Sequence, residues 1–271
     1  MSYKIIVDSA SDLRSDYLKD HPNIAFSVIP FVINVDGVDF VDDDNIDYKK
    51  MLEAMDKGKT SNSSCPSPLS YEKASTATYN FIVTISSKLS GSYQSATTQK
   101  VNNDKHVFVI DSKGTAGTEE LIVDELVRLI EANLSYEEIK TKIIAFRDKL
   151  SLHFTLTKYD NLVKKGRINR ILAKIVSLAR IKTLCKADDG DIAQDKTFLT
   201  FNQTIKYIVS QIQKKEDRTN KCVISYCGDD SIAKSLEKLL KEQKLFEKIV
   251  LRQTKGLCSF YALEKSLIVV Y

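Results

Sequence analysis

Short apolar runs alternate with longer helical patterns over the first 150 residues, and this rhythm constrains the fold more than any other feature of the sequence. Lys4-Ile5-Ile6-Val7, Phe81 to Ile85 and Val107-Phe108-Val109-Ile110 have the length of buried strands. Between and after them, helical patterns cover Tyr48 to Met55, Leu69 to about Tyr79, Ser92 to Val101, Thr118 to Ala132 and Tyr136 to Leu150. A short helix is also expected around Arg14 to Lys19. Strands separated by helices favour βαβ units and a mostly parallel sheet.

The turns at the strand ends are more specific. Three runs finish in hydroxyl-rich turns, at Asp8-Ser9, Ser86-Ser87 and Asp111-Ser112. In an open α/β sheet the ligand crevice lies beyond the carboxyl ends of the strands, so these short polar side chains converge on one place. The competing reading makes Asp8, Asp111 and Ser112 plain helix caps. Lys59 to Pro68, polar and holding two of the four prolines, reads as the clearest loop. Asp42-Asp43-Asp44 reads as a solvated acidic turn, since the glycine and distal glutamate of an EF-hand loop are missing.

The second half is less regular. A strand is expected at His153 to Thr157 and a short helix at Tyr159 to Lys164. Arg180 to Lys186 and Ile192 to Phe198 flank the hairpin turn Asp188-Asp189-Gly190. Helices at Asn202 to Gln213 and Ser231 to Gln243, with strands at Val223 to Tyr226 and Ile249 to Leu251, complete an α+β arrangement. The simplest division is an α/β domain over 1–150, with ligand loops, and an α+β domain over 151–271.

Composition removes several function classes. Forty basic against thirty-six acidic residues give a net charge of +4, scattered rather than gathered into the stripe a nucleic-acid binder needs. Runs such as Phe81 to Ile85 and Leu267 to Val270 are too short to span a bilayer. Met1 to Asp8 has no apolar signal core, so a cytoplasmic protein is expected. The five cysteines form no C-x-x-C pair and the three histidines lack ligand spacing, so no metal site is expected. Cys222 and Cys227 flank a strand and are expected to be buried. Gly58-Lys59-Thr60 ends like a P-loop, but Glu53 stands where its first glycine belongs. Neither G-x-G-x-x-G nor G-x-S-x-G occurs. With so little acid–base equipment, the hydroxyl loops suit holding a ligand better than cleaving one.

Five segments in order then carry a resemblance. They are Val7-Asp8-Ser9, Ser63-Ser64-Cys65-Pro66-Ser67-Pro68, Ile85 to Ala96, Val109-Ile110-Asp111-Ser112, and Tyr159 to Ile168 with its Lys164-Lys165-Gly166-Arg167 core. Together they resemble the DegV family, the fatty-acid-binding proteins that serve bacterial fatty acid kinase. The resemblance implies two α/β domains, the second with a mixed sheet, and a buried fatty acid such as palmitate, stearate or oleate. It implies no cofactor and no catalytic residue of its own. Carried over by motif, Ser63 and Ser90 become the carboxylate donors, with Ser64 and Gly91 beside them. Charge-assisted hydrogen bonds of this kind are roughly twice as strong as neutral ones. A helix beginning after Gly91 adds its N-terminus, and the acyl chain contributes about 0.8 kcal/mol per buried methylene.

The sequence departs from the family pattern in three places. The threonine and glutamine of the first motif are replaced by Ser63 and Cys65, and only Gly166 precedes Arg167 where the family has two glycines. Near the C-terminus the family carries a histidine segment; here Arg252-Gln253-Thr254-Lys255-Gly256-Leu257 stands there, with Gln253 at the histidine's place. Lys165, Arg167 and Arg170 lie in the densest basic cluster and are the candidates for docking the kinase. Transient membrane contact is compatible with this reading. The alternative is a serine-dependent hydrolase or transferase acting on a small lipid or ester, with Ser63 or Ser90 as nucleophile and Lys88 as base.

Overall fold

The computed structural model describes residues 2–100, 105–168, 172 and 181–271. Four strands form a fully parallel sheet: β1 (Tyr3–Asp8), β2 (Ile24–Ile29), β6 (Tyr79–Thr84) and β7 (His106–Asp111), in the order β2-β1-β6-β7. This is the parallel sheet that the strand–helix rhythm predicts. Beside it, β3 (Val32–Val35), β4 (Val38–Val41) and β5 (Ser61–Ser64) make a small antiparallel sheet in the order β4-β3-β5. Six further strands form a mixed sheet: β8 (Leu152–Thr155), β9 (Lys182–Asp188), β10 (Asp191–Phe198), β11 (Lys221–Cys227), β12 (Lys248–Gln253) and β13 (Ser266–Val270). Its order is β10-β9-β8-β13-β11-β12, and only the β11–β12 pair is parallel.

The helices are α1 (Tyr48–Lys57), α2 (Pro68–Ala74), α3 (Ser92–Thr97), α4 (Gly117–Glu131), α5 (Tyr136–Arg147), α6 (Asp160–Lys164), α7 (Phe201–Lys214), α8 (Ser231–Glu242) and α9 (Gly256–Ala262). Starts follow local chemistry. Ser135 and Glu138 close a capping box on α5, Thr200 and Gln203 do so on α7, and Pro68 opens α2 behind the Ser67 cap.

Helix α4 joins the two large sheets. Ile122, Val123 and Leu126 pack into the core under the parallel sheet, while Ala116 and Leu121 pack into the core under the mixed sheet. Full burial of such side chains is worth roughly 1.5–3 kcal/mol each. Gly117 permits the close approach: a Cβ there would stand 2.6 Å from Val223 Cβ. A third core lies between the mixed sheet and helices α7 and α8. Helix α9 crosses back to contact α1, β3 and the 3-10 turn Ser9–Ser11.

Several local expectations change. The segment around Arg14 to Lys19 forms hydrogen-bonded turns rather than a helix, and the helix beginning near Leu69 stops at Ala74 because Tyr79 is needed in β6. Residues 61–64, inside the expected loop, are strand β5. The Asp42 carboxylate is fully buried rather than solvated. Cys222 and Cys227 are buried, as expected.

Candidate functional site

The carboxyl ends of the parallel strands are tied together by buried aspartates. Asp8, last residue of β1, accepts hydrogen bonds from Ala10 N (3.1 Å), from Ile85 N (3.0 Å) and from the Ser92 hydroxyl (2.5 Å). It therefore caps the 3-10 turn and also fixes the loop that follows β6. Loss of water raises its pKa to about 6, against the pull of those donors. Neighbouring Glu119 is pushed well above the usual carboxylate range by burial first and by Asp8 second.

Asp42 does similar work for α9. It accepts from Ser9 Oγ, Gly256 N and Leu257 N, each at 2.8 Å. Asp12 accepts from Lys255 N at 2.7 Å. These bonds set the start of α9 across more than two hundred residues of sequence. Leu257, Cys258, Tyr261 and Ala262, spaced along one helical face, then turn toward a common cavity.

That cavity measures about 420 Å³ and lies between the parallel strand ends and the mixed sheet. Its walls are apolar for most of their extent, with Phe31, Ile85, Leu152, Phe154, Ile192 and Ile268 among them. Hydroxyl groups gather at one end. Ser63 and Ser64 come from β5, and Ser90 and Gly91 come from the loop before α3; all four line the cavity with Cys65.

The hydrogen bonding leaves donors available at that end. Ser90 Oγ accepts from Ser92 N at 3.2 Å, so its own proton is not used in that contact. Ser63 Oγ and Tyr261 Oη lie 3.0 Å apart. One hydroxyl donates to the other, and the pair retains a second proton to offer. Such an arrangement receives an anion's oxygen without a buried ionised partner. Ser64 and Cys65 are exposed, which places this end at the surface.

The other residues singled out in the sequence fall differently. Gln253 ends β12, paired with Tyr226, and its amide donates to the Thr254 carbonyl at 3.1 Å. It is not among the cavity residues. Sheet pairing holds it aside, and Tyr261, eight positions later, supplies the C-terminal polar group. Arg167 lines the cavity instead of standing only on the surface, after a turn that Gly166 makes at φ +67°. Lys165 is engaged with β5: its ammonium donates to the Ser61 carbonyl and, at 2.8 Å, to Asn62 Oδ1. Arg170 lies outside the described residues. Lys88, the base required by the hydrolase alternative, is not among the lining residues. Tyr261 was legible only through its i, i+4 spacing from Leu257.

The family model described as "uncharacterised protein, DegV family" matches residues 2–271. The chain belongs to the DegV family. DegV domain-containing proteins of Streptococcus pyogenes serotype M18 and of Streptococcus pneumoniae are each 33% identical to it over 279 residues, covering 100% of this chain and 99% of the relative. Among solved structures, the Streptococcus pneumoniae fatty acid kinase B3 protein loaded with linoleic acid superposes with a TM-score of 0.94 at 33% identity, over 100% of this chain and 99% of that one. A DegV family protein from Eubacterium eligens loaded with heptadecanoic acid shares the fold at a TM-score of 0.91 and 24% identity, over 99% of both chains.

Proposed function

We propose that this DegV protein binds one long-chain fatty acid in the cavity and presents its carboxylate to a fatty acid kinase. The observation that carries the reading is a largely apolar cavity with Ser63, Ser90 and Tyr261 hydroxyls at one end. An acyl chain fits the apolar walls, and the carboxylate fits the hydroxyl end. The Streptococcus pneumoniae protein, alike over its whole length and loaded with linoleic acid, supports the same assignment. Arg167 adds a cation to the cavity wall, and a guanidinium is the side chain best shaped to meet a carboxylate.

Presentation depends on where the head group sits. The exposed Ser64 and Cys65 leave that end open to a second protein, which supplies nucleotide and metal. In this reading the chain holds the acid by its serines and leaves the phosphoryl chemistry to the partner.

The test is a Ser63→Ala/Ser90→Ala double variant titrated with a sixteen-carbon fatty acid. Each hydrogen bond to a charged group is worth about 1.5–3 kcal/mol, so affinity should fall by two orders of magnitude or more while the thermal transition stays close to the parent's. Unchanged affinity would remove the two serines from the site.

A further inference from the structure

Asp8 stands behind the hydroxyl end of the cavity without reaching it. It is fully buried and is not among the cavity residues. Its Oδ1 accepts from Ala10 N, whereas Oδ2 accepts from both Ile85 N and Ser92 Oγ. Ser92 opens α3 and is itself fully buried. Its backbone N–H donates in turn to Ser90 Oγ at 3.2 Å. Two hydrogen bonds made by one residue thus connect the carboxylate to the head-group serine.

The protons along this path can be assigned one by one. A serine hydroxyl has a single proton, and that of Ser92 goes to Asp8 at 2.5 Å. Tyr71 Oη, fully buried and 2.6 Å from Ser92 Oγ, is therefore the donor in that contact. Ser92 has only its N–H left for Ser90. Ser90 Oγ accepts it, which turns a lone pair toward α3 and leaves the hydroxyl proton for the cavity.

This order of protons requires a charge on Asp8, and Glu119 allows it. Glu119 is fully buried in the first turn of α4, faces Asp8, and has no donor on either carboxyl oxygen among the described residues. Two buried carboxyl groups in such proximity do not both ionise. Asp8 has three donors and Glu119 has none, so the proton resides on Glu119. Burial and Asp8 accordingly hold Glu119 well above the ordinary range, while Asp8 rises only to about 6. Asp12 and Tyr71 also bear on the pair, Asp12 raising Glu119 further. The backbone of the loop has anchors of its own. Ser90 N donates to the Ser86 carbonyl at 3.1 Å, Ser86 N to the Gly114 carbonyl at 2.8 Å, and Ser86 Oγ to the Gly190 carbonyl at 2.6 Å. Those contacts fix the path of the chain, and the Asp8–Ser92 contact fixes the direction of the Ser90 hydroxyl.

We propose that Asp8 is a positioning residue for the head group: acting through Ser92, it aims the Ser90 hydroxyl at a carboxylate and makes the site favour an acid over a neutral head. The inference rests on the fatty-acid reading of the cavity. A hydrogen bond to a charged acceptor is roughly twice as strong as a neutral one, so a hydroxyl held in the right direction rewards the acid more than the alcohol.

The experiment measures the affinities of the delipidated full chain for hexadecanoic acid and for hexadecan-1-ol at pH 8, read as a ratio. Damage to the apolar walls weakens both ligands alike and leaves the ratio where it was. Asp8→Asn should lower the ratio by about three- to tenfold. Ser92→Ala spares the Asp8 bonds to Ala10 and Ile85 and should have the same effect, so the answer does not depend on Asp8→Asn folding. In a Ser90→Ala background neither substitution should lower the ratio further, because the effect runs through that hydroxyl. A folded variant with the parent's ratio, or a fall that persists once Ser90 is removed, would overturn the positioning role. Failure of hexadecanoic acid to bind the parent would overturn the fatty-acid reading instead, and is distinguishable from both.

Discussion

Asp12 shows how a single buried carboxyl can set the pH response of the site. It is fully buried and left-handed at φ +57°, with Oδ1 on Lys255 N and Oδ2 without a partner among the described residues. Burial raises its pKa to about 7, with the Lys255 amide lowering it and Asp42 raising it further. The folded state therefore holds a proton that the unfolded chain releases near the ordinary aspartate value, about 4. The corresponding stability is complete below that value and is lost as pH rises through about 7. Asp8, raised to about 6, adds a decline of the same sign. Urea denaturation should accordingly show stability falling between pH 5 and pH 8. Asp12→Asn, which stays neutral and tolerates positive φ well, should flatten that fall and be the more stable protein at pH 8. A parent whose stability rises over the same interval would contradict this account.

At the scale of elements, strand β5 decides whether the site exists. Lys165 clamps it through the Ser61 carbonyl and Asn62, while β3 pairs with it residue for residue. Lys165→Met keeps the aliphatic stem and removes the donor, so it should loosen β5 and weaken fatty-acid binding several-fold, measured by ligand titration. A docking role alone would leave binding untouched and lower only the rate of phosphorylation by a kinase. Here the sequence is least transparent. Ser61-Asn62-Ser63-Ser64 has no apolar alternation, and only its pairing with β3 makes it a strand. The parallel strands and their hydroxyl turns are legible because periodicity and turn chemistry are local. Ser63, Ser64, Ser90 and Gly91 are likewise legible as motifs, and the fold brings all four to the cavity. Gln253 and Tyr261 exchange places because a linear position near the C-terminus says nothing about which way β12 and α9 point. Asp42 looks solvated beside Asp43 and Asp44, since its partners Gly256 and Leu257 are far away in sequence.

Across the whole molecule, the two large sheets are held by α4 and by a buried charge cluster. Glu120, fully buried, receives Lys221 Nζ and Arg252 Nε, each at 2.5 Å, while Asp124 takes Lys221 at 2.7 Å and Tyr17 at 2.7 Å. Arg252 and the other cation hold Glu120 below the usual glutamate range despite its burial. Glu120→Gln leaves Arg252 without its carboxylate and Lys221 with Asp124 alone, and should cost about 3–5 kcal/mol in chemical denaturation. The cavity depends on that junction, since its walls come from both sheets. The central claim, that this cavity carries a fatty acid, is tested most directly by mass spectrometry of the ligand extracted from freshly purified protein. The account predicts close to one long-chain fatty acid per chain. A protein that emerges empty, and stays empty when offered hexadecanoic acid, would contradict it.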